Sequence, residues 1–349
     1  MKDWPPIYFY VPSTMFDAWP GNENEYMSWA EGEKHLGVAA WIVLTYLRLK
    51  AHGYPVERCS ELPRRGIVIT HTRVLRDGSL RPRPDVLLVC AEGDRGRCIN
   101  ADIHVVQNPL QERQSWFWKR RYIPHWTQPG LMPRDPQRGD KVETVGYLGT
   151  EFNLDPELRS DVWLAGLKRL NLRWETRFPS QAWTRYDDLD CVVTIRGFHK
   201  HWNDIWKPAS KLFNAWRADV IPLVSADSAM EWHGVAGEDY LRVDSLQHLL
   251  ATLEQLKIDP SLCQKLRHNM ARRRAEISGD VQLGNWVHLI DSLLVPAYFR
   301  KRRQGATMRV PAAAWRVLTY GLDWADRWRR YYGGRISAKL RAEEFRGYV

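Results

Sequence analysis

The sequence predicts an α/β fold: two Rossmann-like domains facing each other across a cleft, followed by an amphipathic helical tail. Three observations carry that expectation. Short apolar runs of strand length recur in both halves of the 349 residues. Several end in polar or turn-forming residues, as strands do where an open parallel sheet presents its ligand-binding edge. An aperiodic, proline-rich stretch separates the two sets.

Taken in order, residues 7–11 (IYFYV) read as a buried strand and 26–51 as a helix closed by His52 and Gly53. Further strands are expected at 66–70 (GIVIT), 85–90 (DVLLVC) and 102–106 (DIHVV), followed by His71, by Glu92 and Gly93, and by Gln107 and Asn108. Together they make a first domain, 1–121. Residues 122–140 form a linker. A second domain, 141–299, opens with a strand at 142–148 (VETVGYL) and continues with strands at 191–195, 220–224 and 240–243. Its helices are expected near 161–170, 209–218, 245–257, 260–277 and 285–295. Residues 300–349 are the tail.

Composition bounds the function. With 44% hydrophobic and 26% charged residues the chain is neither collagen-like, nor a disulfide miniprotein, nor disordered. Five cysteines, without a CxxC pair, indicate neither a zinc site nor a disulfide framework and fit a reduced, cytoplasmic setting. The N-terminus lacks a secretory pattern, and the most apolar stretch, 38–49, is short of the roughly 20 residues a membrane span needs. The net charge of +10 points first to nucleic acid, membranes or phosphorylated ligands. Its distribution redirects that: 13 Lys/Arg against 4 Asp/Glu within 300–349 supply +9, so the body is nearly neutral and no nucleic-acid partner is expected.

The richest chemistry lies in residues 196–211 (RGFHKHWNDIWKPASK), between a strand and a helix start. Arg196, Lys207, Lys211 and Ser210 suit a phosphate there, because a helix N-terminus adds free N–H groups and partial positive charge. Lys207 and Lys211, four apart, would share a helical face; a solvated basic loop is the plain alternative. Gly149 and Thr150 end the strand 142–148, where a glycine lets a backbone approach a phosphate, although a turn glycine explains it as readily. Ser228 and Glu231 in 225–231 (SADSAME) can hold a sugar or ribose, or merely cap a helix. His71, directly after a strand, and His125, in the linker, face the cleft, and His71 is the candidate base for an acceptor hydroxyl. Asp187, Asp188 and Asp190 precede a strand and read as a turn, so no metal and no other cofactor is expected.

The stretch from Lys207 through Asn214 to Trp216 (KPASKLFNAW), the following strand and Ser228 resemble bacterial glycosyltransferases of the GT-B fold. The resemblance narrows to a poorly characterised group with a KPxxKLxNAW stretch. Residues 125–136 (HWTQPGLMPRDP) and 239–245 (DYLRVDS) are similar too, so the likeness spans roughly 105–280. It implies a nucleotide-sugar donor held mainly by the second domain, a glycan or lipid-linked acceptor on the first, and no obligatory metal. Retaining members usually carry Glu-x7-Glu across this helix; here those positions are Trp206 and Asn214, which leaves the stereochemistry open. Arg196, Lys207 and Lys211 then become the expected neutralisers of the leaving diphosphate, and Asn214 a hydrogen-bonding partner of ribose or sugar. The competing reading is a non-catalytic module that binds nucleotide or polyanion.

In the tail, Val317, Tyr320, Trp324, Trp328 and Tyr331 recur at helical spacing beside arginines. Such a helix suits an anionic membrane surface, each basic residue gaining ~1 kcal/mol, so the protein is expected in the cytoplasm with a peripheral membrane contact through 300–349. Packing back onto the body is the alternative, as C-terminal helices of GT-B proteins commonly do.

Overall fold

The computed structural model describes residues 4–31, 35–75, 83–95, 98, 100–113, 119–195, 197–198, 206–304 and 321. Arg196 and nearly all of the tail beyond 304, with its expected amphipathic helix, lie outside them.

Two all-parallel sheets organise the chain. The first has the order β2-β1-β3-β4-β5-β6, built from β1 (Ile7–Tyr10), β2 (Val56–Cys59), β3 (Gly66–His71), β4 (Val86–Ala91), β5 (Ile103–Val106) and β6 (Arg120–Tyr122). The second joins β7 (Thr144–Leu148), β8 (Arg173–Arg177), β9 (Cys191–Val193), β10 (Ile221–Val224) and β11 (Leu241–Arg242), in the order β11-β10-β9-β7-β8. Strands β3, β4 and β5 are buried throughout, the continuous apolar signature of parallel strands covered on both faces. In both sheets the order reverses beside the first strand: between β1 and β3, and between β7 and β9. Open α/β sheets bind ligands beyond the carboxyl ends at such points. His71 ends β3 at one reversal, and Gly149 follows β7 at the other.

The helix expected over 26–51 is two: Glu23–Glu31, then a helix over 36–51 whose middle turn, Ala39–Val43, is a wider π turn. The second helix packs on the first sheet through that turn, and the first helix packs on the second. The second sheet is covered by helices Asp161–Arg169, Ser210–Ala218, Leu246–Ile258 and Pro260–Glu276, around Trp163, Phe213 and Trp216.

The expected linker, 122–140, is mostly packed. Ile123 and Trp126 belong to the first core, and Ile123 N–H donates to Val106 O (3.0 Å). Met132, Arg134 and Asp135 instead donate their N–H groups to Thr184, Ala218 and Asp187 of the second half. The crossing itself is confined to residues 128–131. On the second side it is anchored by Asp190, fully buried, whose carboxylate accepts from Arg134 Nε (2.9 Å), Arg138 Nη2 (2.7 Å) and the N–H groups of Glu143 and Thr144. Burial alone would raise this carboxyl, but Arg138, the two backbone donors and Arg134 hold it below the ordinary carboxylate range.

The chain crosses back near Ser278. Helix Gly279–Leu289 runs on through a π turn, Ile290–Leu294, into Val295–Gln304. Trp286, Leu289, Ile290, Leu294 and Tyr298 are buried in the first core, not the second. The expected second domain, 141–299, is therefore corrected at its C-terminal end, because the apolar face of this helix completes the N-terminal half. The expected tail boundary at 300 falls inside the same helix, where Lys301 Nζ binds Asp102 (2.7 Å) and Val86 O (2.8 Å) and Arg302 Nε lies 3.5 Å from Asp85. Two Rossmann-like halves across a cleft, with a returning C-terminal helix, make the architecture GT-B. Among the described residues no helix is long and apolar enough to cross a membrane.

Candidate functional site

A cavity of about 460 Å³ opens between the halves. The first half lines it with Tyr26, Ala40, Trp41, His71, Asp94 and His125, among others, and the second half closes it with Ser180, Trp183, Ser210 and Asn214. Both expected histidines and two residues of the expected phosphate segment thus meet in one place.

The hydrogen bonds of the histidines fix different proton positions. Arg73 N–H donates to His71 Nδ1 (3.0 Å). A nitrogen that accepts carries no proton, so in the neutral ring Nε2 holds it and His71 is a donor toward its surroundings. The ring sits between two glycines: a Cβ at Gly93 (φ +52) would lie 2.5 Å from Nε2, and one at Gly37 3.8 Å from it. His125 is the reverse case. Its Nδ1 bonds to Trp126 O (2.8 Å), a carbonyl that can only accept, which leaves Nε2 unprotonated. Burial lowers its pKa and keeps the ring neutral, and Trp41 meets it edge-on at 5.2 Å.

The expected cations part company. The helix begins at Ser210, without a side-chain cap, so Lys207 precedes it and the shared helical face does not form. Lys207 Nζ pairs with Asp94 across the halves (2.6 Å). Lys211, in the first turn, lies 4.4 Å above the Tyr147 ring, and a Cβ at Gly149 would approach its Nζ to 3.0 Å. Gly149 and Lys211, expected separately as phosphate contacts, thus meet at the carboxyl end of β7. Thr150 is exposed, its hydroxyl accepting from Asn153 Nδ2 (2.6 Å).

The remaining candidates are engaged between or within the halves. Ser228 Oγ accepts from Asn108 Nδ2 (3.0 Å), and the same amide reaches Lys207 O (3.2 Å). Glu231 pairs with Arg242 (3.3 Å), and neither Ser228 nor Glu231 lines the cavity. Asn214 exchanges two hydrogen bonds with Gln128 at the crossing: its Oδ1 accepts from the backbone N–H (3.0 Å) and its Nδ2 donates to Oε1 (3.3 Å). Sequence reasoning missed Asp94, and noted Gln107 after its strand without giving it a role. Gln107 Nε2 donates to Asp94 (2.6 Å) and to Trp206 O (2.7 Å), clamping the segment before the helix onto the first half. A further tie joins Tyr122 Oη to His233 Nε2 (2.6 Å). Among the described residues no group of three His, Cys, Asp or Glu is arranged to hold a metal.

No family model and no curated protein sequence matches the chain. Among solved structures it is similar to sucrose-phosphate synthase from Thermosynechococcus elongatus, at 13% identity over 84% of this chain and 100% of that one, with a TM-score of 0.47. It is also similar to Anabaena HepE, solved with UDP and glucose (11% identity, 83% and 100% covered, TM-score 0.48). An O-GlcNAc transferase from Thermobaculum terrenum gives 12% identity, 87% and 69% coverage and a TM-score of 0.49.

Proposed function

We propose that the chain is a metal-independent glycosyltransferase that moves a sugar from a nucleotide-sugar donor to a hydroxyl of a cell-envelope, polysaccharide or lipid-linked acceptor. The observation that carries this reading is one cavity between the halves, lined by His71 at the first sheet's reversal point and by Ser210, the residue before Lys211, whose contact with Gly149 lies beside the second sheet's reversal point. The donor diphosphate lies at the start of helix Ser210–Ala218, neutralised by Lys211 and by the helix N–H groups. Arg196 stays a candidate on sequence grounds.

His125 takes the base role that sequence alone gave to His71, because its Nε2 is the nitrogen able to accept a proton. The acceptor hydroxyl gives its proton to Nε2 as its oxygen bonds to the sugar's anomeric carbon. The bond from that carbon to the diphosphate breaks, and the leaving charge falls on Lys211. With Trp206 and Asn214 where retaining enzymes carry two carboxylates, the reading favours inversion.

A thermal-shift panel of UDP, GDP, CMP and dTDP sugars tests it. A true donor at a hundredfold its Kd stabilises by about 2.7 kcal/mol, a shift of several degrees, and transfer should survive EDTA. A panel without any shift would remove the transferase reading. A shift without transfer to any acceptor would favour a nucleotide-binding module, to which the Asp94–Lys207 and Asn214–Gln128 ties also lend themselves.

A further inference from the structure

We propose that the acceptor carries an apolar group, alkyl or aryl, beside its nucleophilic hydroxyl, and that the wall formed by helix Glu23–Glu31 and the helix over 36–51 holds that group. The word acceptor rests on the glycosyltransferase reading; the binding preference does not.

The cavity is divided by chemistry. Its polar groups, His71, Asp94 and His125 among them, come mostly from strand-end loops and the crossing segment. Its other wall is mainly apolar, Tyr26, Met27, Ala30, Val38, Trp41 and Leu44, rooted in the first core, with Glu31 the charged side chain on it. The polar atoms of the cavity's three indoles are already used. Trp41 Nε1 donates to Gln107 Oε1 (3.2 Å), Trp126 Nε1 to Thr45 Oγ1 (2.8 Å) and Trp183 Nε1 to Phe178 O (3.2 Å). The tryptophans therefore offer a sugar no donor, and hydroxyls pressed against this wall would lose water without replacement. An alkyl or aryl group gains from the same surface. At about 460 Å³ the cavity falls in the range of small-molecule sites, roughly 300–1,000 Å³, enough for one ring and a short substituent. The π turn Ala39–Val43 brings Ala40 and Trp41 to this wall, and such turns gather at functional sites.

The test is calorimetric titration of the full chain with octyl β-D-glucopyranoside, below its micelle-forming concentration, against methyl β-D-glucopyranoside. The octyl glycoside should bind at least tenfold more tightly, at one site. Ala30→Trp, which fills the cavity, and Met27→Glu, which charges its wall, should each reduce octyl affinity to the methyl level, with folding checked by circular dichroism. Equal affinities, no saturable binding of either glycoside, or an octyl preference that survives both variants would overturn the proposal. Because the nucleotide panel reads the other half, a positive panel with a failed titration sinks this inference alone.

Discussion

Replacing Lys211 by alanine removes the cation that stands at the carboxyl end of β7, 4.4 Å above the Tyr147 ring and against Gly149. A hydrogen bond from a charged group to a diphosphate contributes about 1.5–3 kcal/mol, which is roughly 10- to 100-fold in Kd. Folding loses the cation–ring contact, about 0.5–1 kcal/mol, so the variant stays folded with a melting temperature lower by a few degrees. Lys207→Ala is the matched comparison. Its ammonium is already neutralised by Asp94 at 2.6 Å, so donor affinity should fall less than threefold. Calorimetric titration of both variants with whichever nucleotide stabilises the parent protein reads the difference. A Kd within twofold of the parent for Lys211→Ala, or a larger loss for Lys207→Ala, would refute the assignment of the diphosphate to the Gly149–Lys211 contact.

Asp190→Ala strips the partner from Arg134, whose side chain is 3% exposed, and leaving a buried charge unpaired costs about 3–5 kcal/mol; urea unfolding checks it, and a loss below about 1 kcal/mol counts against the anchoring role. His233 is held neutral, its pKa lowered to about 4 by burial and then by Arg273, so the unfolded chain binds the extra proton between about pH 6.5 and 4. Stability from this residue is therefore complete above pH 6.5 and falls by about 3 kcal/mol as pH drops through that window; His233→Gln should flatten the profile measured by urea titration. Gly93→Ala drives a methyl group to within 2.5 Å of His71 Nε2 at a backbone angle of +52°. It should cost about 1–2 kcal/mol of stability and lower transfer at least tenfold, whereas unchanged kcat/KM would separate His71 from the site.

The parts legible in the sequence were those with a local cause. β1, β3, β4, β5, β7, β9 and β10 announce themselves as apolar runs because both sheet faces are covered. The strands without such a run are the edges: β2 (VERC), β6 (RRY) and β8 (RWETR) are short and heavily charged, as edge strands are when they must not pair with another chain. Their apolar content is too small to register at period two. His71, His125, Gly149 and Lys211 were legible from their places after strands, in the linker and at a helix start. Asp94 and Gln128 were not, nor were the roles of Gln107 and Asn108, although their places after a strand were, since each is a polar side chain whose partner lies 86 to 120 residues away. The same limit explains the exchange of roles between the histidines. Which ring nitrogen bears the proton depends on a backbone amide and a carbonyl that only the folded chain brings into reach.

The returning helix Gly279–Leu289 and its continuation have a consequence for how the chain is made. A ribosome delivers the first half before the second, and most multidomain chains use that order to fold their N-terminal unit first. Here Trp286, Ile290, Leu294 and Tyr298 are still unsynthesised when β1 to β6 have emerged, and the groove they fill stands open. The second half, whose core needs nothing beyond Ile277, is complete sooner. The segment that seals the first half is therefore made after the second half is finished, and a nascent chain released before about residue 300 carries a finished second half attached to an unsealed first one.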